Sequence, residues 1–142
     1  MSRVLFLLAA LASSASCGSG ILGANEERVI GEIDLSIPET VVAPPSAPDT
    51  VAVSRLFVVS LLTIGGGCRR VGETEVRVVG NTAFVTPYDY RGTGGRTCTL
   101  GLKPFIHDTT VRFDVVGQAL VLITAQDRDG VQFEIELPVW VR

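Results

Sequence analysis

Hydrophobic and polar residues alternate along much of the second half of the chain, and this pattern predicts β-strands. The alternation is clearest near the end, where Val131, Phe133, Ile135 and Leu137 are separated by polar residues. A period of two places such residues on one face of a strand. No stretch between residues 51 and 142 shows a helical period of useful length.

Turn signals separate the predicted strands. Gly80-Asn81 predicts a tight hairpin between strands at 75–79 and 83–88, because a glycine at the first turn position accepts a positive φ. Gly117-Gln118 and residues 127–130 predict two further turns. The remaining predicted strands are 51–53, the longer apolar run 56–64, 109–115, 119–124 and 131–137.

Seven or eight short strands at this spacing predict an all-β fold, an antiparallel immunoglobulin-like β-sandwich. We expect it to span residues 29–142, with a first strand beginning at Val29. The proline-rich stretch at 43–48 cannot be an internal strand, because each proline lacks a backbone donor.

The beginning of the chain has the order of an export signal. Arg3 is followed by apolar residues 4–11 and by small residues 12–16, so residues 1–16 are predicted to be a signal peptide. The apolar run is too short for a transmembrane helix, which needs about 20 residues. The protein is therefore expected to be exported.

The segment Ser14-Ala15-Ser16-Cys17-Gly18 resembles the lipobox of bacterial lipoproteins, in which the cysteine is lipidated. Ser14 departs from the pattern, which usually has an aliphatic residue there. The alternative is cleavage after Ala15, which leaves Cys17 as a free thiol. Lipidation is favoured because an odd exposed thiol is a liability in an oxidising compartment. Gly18 in place of Asp implies, through the same resemblance, an outer-membrane lipoprotein in the envelope of a bacterium with two membranes.

With Cys17 assigned to lipid, Cys68 and Cys98 remain for a disulfide bond in an exported domain. A redox role is disfavoured because the pair lacks the close Cys-x-x-Cys spacing of reactive thiols. Residues 17–28 contain three glycines and two acidic residues, Glu26 and Glu27, and they predict a flexible, lipid-anchored tether.

Several segments of the body resemble uncharacterised bacterial lipoprotein-type envelope proteins. They are Pro48-Asp49-Thr50-Val51, the apolar strand that ends in Gly65-Gly66-Gly67-Cys68, Gly72-Glu73-Thr74-Glu75-Val76, Val85-Thr86-Pro87-Tyr88-Asp89-Tyr90 and Cys98-Thr99. The resemblance covers about residues 30–125 and implies an immunoglobulin-like sandwich with one disulfide. It implies no activity, ligand or catalytic residue.

Residues 88–96 are predicted to form a loop at one end of the sandwich, and this loop is the best candidate for binding. Tyr88, Tyr90, Arg91 and Arg96 combine aromatic and basic side chains with flexible glycines. The alternative is a solvated hairpin loop with its tyrosines lying on the sheet.

Candidates for catalysis are few. His107 is the only histidine, and its position before a predicted strand indicates a loop residue that bonds to backbone. Residues 127–130 resemble part of a calcium loop but lack its other ligands, so a turn is favoured. We therefore expect no enzyme activity, metal or cofactor. The net charge of -3 and the predicted export argue against nucleic acid as a partner.

Two classes of function remain at this point. The first is a non-enzymatic, lipid-anchored envelope module with a structural or protein-interaction role, whose partners are the membrane and an envelope protein. The second is a small-ligand or glycan-binding domain that uses the loop at residues 88–96.

Overall fold

A computed structural model describes residues 25–39, 41–94, 97–99 and 101–142. The predicted signal peptide, Cys17, the first part of the predicted tether and Arg96 lie outside these residues. The described chain contains eight β-strands and no helix, hence no apolar helix that could cross a bilayer. The strands are β1 Glu26–Ile30, β2 Thr50–Val51, β3 Leu56–Gly65, β4 Arg69–Val79, β5 Thr82–Gly92, β6 Lys103–Arg112, β7 Gly117–Gln126 and β8 Gln132–Val141.

The strands form two sheets. In the larger sheet the order is β1-β5-β7-β8-β2, with β4 on the other edge of β5, and β3 and β6 form the second sheet. Strands β7 and β1 lie one after the other along the same edge of β5. β7 pairs with the first residues of β5 and β1 with the last. The prediction of an all-β, sandwich-like fold is confirmed.

Two of the pairings are parallel, namely β5 with β7 and β2 with β8. Both join strands that are distant in the chain. Hydrophobic alternation specifies which face of a strand is buried, but it carries no information about the direction of a distant neighbour. The antiparallel expectation therefore holds for most pairings and not for these two.

The core lies between the sheets and follows the predicted alternation. Val59 and Leu61 of β3 are buried against Val85 of β5 and against Val121 and Ile123 of β7. On β8, Phe133, Ile135 and Leu137 pack against this core, while Val131 lies before the strand and is exposed. The period of two thus predicted the inner face of β8, although the predicted strand begins one residue early.

Two of the three predicted turns are confirmed. Gly80 has a φ of 58° at the first position of the β4-β5 turn, as a type II′ hairpin requires. Asp127 closes the β7-β8 turn by accepting the N–H groups of Asp129 and Val131, both at 2.9 Å. Gly117 and Gln118, in contrast, begin β7, and the preceding turn occupies residues 113–116.

Some predicted boundaries are wrong. Glu26, Glu27 and Arg28 belong to β1 and not to a tether, because the end of β5 offers them a backbone partner. The strand predicted at 109–115 is β6, Lys103–Arg112, which extends along the full length of β3. In both cases a partner strand distant in sequence decides where the element begins.

The predicted disulfide is confirmed: Cys68 and Cys98 are bonded, with their Cα atoms 5.2 Å apart. The bond ties the connection between β5 and β6 to the start of β4. Beside it, the Gly67 N–H donates to the Thr99 carbonyl at 3.1 Å. The bridge therefore closes one end of the domain.

Candidate functional site

The predicted binding loop is largely a strand. β5 continues to Gly92, so Tyr88, Tyr90 and Arg91 are strand residues and the loop prediction is wrong for them. The cause is pairing on both edges: β4 bonds to one edge of this segment and β1 to the other. Backbone hydrogen bonds on both edges fix this segment, whereas the sequence predicts a flexible loop.

Strand geometry places the two tyrosines on one face. Along β5 the buried side chains Val85 and Asp89 alternate with the half-buried Tyr88 and Tyr90. Successive side chains of a strand point to opposite faces, so both tyrosines lie on the outer face of the larger sheet and Asp89 points into the core.

Two ion pairs cross β5 over Tyr90. Arg28 of β1 pairs with Glu73 of β4, and Arg70 of β4 pairs with Glu26 of β1 through bonds of 2.7 and 3.0 Å. The Tyr90 hydroxyl donates to Glu73 at 2.8 Å. Since each pair joins the two strands that flank β5, together they fix the positions of the side chains around the ring.

Each aromatic ring of this face carries a guanidinium group. The distances from guanidinium carbon to ring centroid are 3.4 Å for Arg28 and Tyr88, 4.1 Å for Arg70 and Tyr90, and 4.3 Å for Arg77 and Phe84. Such stacking is worth about 0.5–1 kcal/mol per pair at exposed sites. We call this surface the aromatic-arginine face; it consists of Phe84, Tyr88, Tyr90, Arg28, Arg70, Arg77, Glu26 and Glu73.

The pKa values of the face favour its charged network. A bond to its own backbone N–H, followed by the bond from Tyr90, lowers the pKa of Glu73. The Glu73 carboxylate in turn raises the pKa of Tyr90, and the bond to Glu26 raises the pKa of Arg70. At neutral pH the carboxylate and the guanidinium are therefore charged while the phenol keeps its proton.

Arg91 does not join the two tyrosines. Because it follows Tyr90 in the strand, it lies toward the other face, where it pairs with Glu27 at 2.7 Å. There it lines a groove of about 380 Å³ together with Glu27 and Arg69. The structure thus brings Tyr88 and Tyr90 together and separates them from Arg91, while Arg96 lies outside the described residues.

A buried polar cluster lies between the sheets, beneath the aromatic-arginine face. Asp89 of β5 accepts a bond from the Thr63 hydroxyl at 2.7 Å, and His107 Nε2 lies 3.1 Å from both Thr63 Oγ1 and Asp89 Oδ1. Thr74 Oγ1 lies 3.0 Å from His107 Nδ1. His107 is 3% exposed, and Thr63 and Asp89 are fully buried.

The prediction of a loop histidine bonded to backbone is therefore wrong. His107 lies in β6, its side chain faces the core, and its partners are side chains. Since the Thr63 hydroxyl donates its hydrogen to Asp89, the network assigns a proton to Nε2, which donates to Thr63 and Asp89. Strand β6 of the second sheet thus places the His107 side chain in the core, facing β5.

The cluster contains two hydroxyls, an imidazole and a carboxylate. His107 Nε2 lies beside Asp89 and the buried hydroxyl of Thr63, and Nδ1 lies beside the part-buried hydroxyl of Thr74. These contacts cross-link the two sheets through β3, β4, β5 and β6.

Sequence reasoning missed Arg28, Glu26 and Glu73 as members of the face. The sequence predicts residues 26–28 to be part of the tether, and nothing in their local pattern places them beside β5. One signal was available: the alternation of Phe84, Thr86, Tyr88 and Tyr90 continues without a break and indicates a strand reaching residue 90. A strand that reaches residue 90 places both tyrosines on the same face.

Comparison of the chain with known protein families, with curated proteins and with solved structures found no match. Within the described ranges, no group of three or more His, Cys, Asp or Glu side chains is arranged to hold a metal ion.

Proposed function

We propose that this protein is a non-catalytic, lipid-anchored module of the bacterial cell envelope that binds another protein through its aromatic-arginine face. The observation that carries the proposal is the concentration of Tyr88, Tyr90, Arg28 and Arg70 on one outer face. Tyr and Arg are enriched at protein interfaces and in their hot spots.

The charges of the face also suit a protein partner. Arginines and glutamates alternate around Tyr90, so the surface offers fixed donors and acceptors next to apolar rings. Because these side chains already hold one another, little side-chain entropy remains to be lost on binding.

A sugar is less well accommodated by this face. Glycan recognition by aromatic residues uses the open face of a ring, and here guanidinium groups stack on Tyr88 and Tyr90. A glycan would have to displace Arg28 and Arg70 from their carboxylate partners. The protein-interaction role is therefore preferred over the glycan-binding alternative.

The test is photo-crosslinking in the cells that make the protein. A photoreactive residue at Thr86, between Phe84 and Tyr88 on the face, is expected to capture an envelope protein other than a second copy. The double variant Tyr88→Ala with Tyr90→Ala should reduce capture by about tenfold or more, because truncating each hot-spot residue costs more than about 1 kcal/mol.

Two controls accompany this experiment. Trp140→Ala removes a half-exposed aromatic from β8 of the same sheet and should leave capture unchanged. A photoreactive residue at Asp108, on the exposed side of β6, should capture much less. Undiminished capture by a folded double variant, or equal capture at residue 108, would overturn the binding face.

The lipid anchor is tested separately, by mass spectrometry of the protein isolated from membranes. We expect Cys17 to be the first residue of the mature chain and to carry acyl groups, which together give a lasting anchor. Cys17→Ser should move the protein from the membrane to the soluble fraction. A mature chain that begins after Ala15 with an unmodified Cys17 would contradict the proposal.

A further inference from the structure

Strand β4 has an open edge. Within the described part of the chain it pairs with β5 alone, on one side, and no ladder joins it to β6. Toward its end, β4 and β6 leave a groove of about 540 Å³ between them, lined by Val78, Thr110 and Val115 among others. Unpaired backbone groups on an edge strand are a template for another strand.

The hairpin turn determines which residues face this open edge. A two-residue hairpin closes on a hydrogen-bonded pair, here Val79 and Thr82, and such pairs recur at every second residue. Glu75 and Arg77 therefore bond to β5 through their backbone. The backbone groups of Thr74, Val76 and Val78 point away from β5, toward the open edge.

The charged side chains of β4 restrict how it can pair with an antiparallel copy of itself. If Val76 faces Val76 of the copy, Glu75 of each copy lies opposite Arg77 of the other. No like charges are then directly opposed. Centring on Thr74 instead opposes Glu73 to Glu75. Centring on Glu75 or on Arg77 opposes that residue to its own equivalent. Opposite charges across a strand pair stabilise it and like charges destabilise it.

We propose that two copies of this chain dimerise by antiparallel pairing of their β4 strands, centred on Val76. In this register Thr74, Val76 and Val78 form the hydrogen-bonded pairs between the two copies. The register that the charges favour is therefore also one that the free backbone groups of β4 allow. Glu75 and Arg77 are both exposed on the outer face, where the closer non-hydrogen-bonded spacing brings opposed side chains together.

The irregular part of β4 and the adjoining disulfide both lie away from the proposed ladder. The strand is irregular between Val71 and Thr74, which limits the regular ladder to its second half. The disulfide of Cys68 lies at the opposite end of the strand. A two-fold axis perpendicular to the sheet would make the aromatic-arginine faces of the two copies contiguous. The inference does not depend on what that face binds.

The experiment is analytical ultracentrifugation of the purified mature protein over a wide range of concentrations. The wild type should show a reversible monomer-dimer equilibrium. Glu75→Arg opposes arginines to arginines, and Arg77→Glu opposes glutamates to glutamates. Each variant should weaken dimerisation by about tenfold or more, since two pairs change from attraction to repulsion.

Two combinations identify the register. An equimolar mixture of the Glu75→Arg and Arg77→Glu chains should form a heterodimer, because every opposed pair again has opposite charge. The double variant carrying both changes should dimerise like the wild type. Glu136→Arg, an exposed charge change on β8, is the matched control and should have no effect.

Circular dichroism establishes that each variant is folded, since Arg77 also contacts Phe84 and Glu75 also pairs with Arg28 at 3.6 Å. Should Arg77→Glu fail to fold, Glu75→Arg alone still tests the register, because it opposes arginine to arginine at both pairs. A wild type that stays monomeric would overturn self-pairing and leave the edge to a strand of another protein. A dimer insensitive to both charge reversals would likewise overturn the proposal.

Discussion

Replacing Asp89 with alanine is expected to lower the free energy of unfolding by about 3 kcal/mol or more. The substitution removes the acceptor of both the Thr63 hydroxyl and the His107 Nε2–H, and all three groups are buried between the sheets. A buried donor without a partner costs its full desolvation. For a domain of this size the melting temperature should fall by roughly 10 °C.

The matched control is Asp108→Ala, which removes an exposed carboxylate from the neighbouring strand β6. Surface changes of this kind usually stay within about 0.5 kcal/mol. Thr63→Val should cost less than Asp89→Ala, since the contact between His107 and Asp89 remains. Urea unfolding followed by circular dichroism measures all three variants. Equal losses for Asp89→Ala and Asp108→Ala would refute a structural role for the cluster.

Replacing Cys98 with serine is expected to lower the free energy of unfolding by roughly 3 to 4 kcal/mol. The bond closes a loop with a sequence separation of 30 residues, and its removal returns conformational freedom to the unfolded chain. Native stability of small domains is only about 5–15 kcal/mol, so this is a large share. Thermal unfolding with and without a reductant gives the difference.

The expected result has two internal checks. The Cys98→Ser protein should be insensitive to reductant, and the double variant Cys68→Ser with Cys98→Ser should lose no more than the single variant, because one bond accounts for both. If the wild type melts at the same temperature in oxidising and reducing buffer, the bond does not stabilise the fold. The aromatic-arginine face involves neither cysteine, so its capture of a partner should persist below the melting temperature.

The sequence predicted the strands best where the signal was local. The turns at Gly80-Asn81 and at residues 127–130, and the inner face of β8, follow from residue type and from a period of two. The disulfide between Cys68 and Cys98 was predicted from the number of cysteines and from the expected oxidising compartment. Each of these inferences uses residues close together or a property of the whole chain.

The candidate site was predicted less well, because its members come from strands that are distant in sequence. Tyr88 and Tyr90 were recognised as candidates, but their neighbour Arg28 was assigned to a tether and His107 to a loop. Only the pairing of β1 with β5 brings Arg28 over Tyr88. Only the packing of β6 over β5 brings His107 to Asp89.

By itself, the sequence determined that the chain is an all-β domain, which faces of its strands are buried, and which two cysteines are joined. These properties depend on short-range backbone preferences, on the period of the side chains and on the number of cysteines that remain to be paired. The tertiary structure decided the rest: the parallel neighbours, the ion pairs across β5, the buried polar cluster and the open edge of β4. Those features depend on which distant strands become neighbours, and that choice is made by packing of the whole core and not by any local pattern.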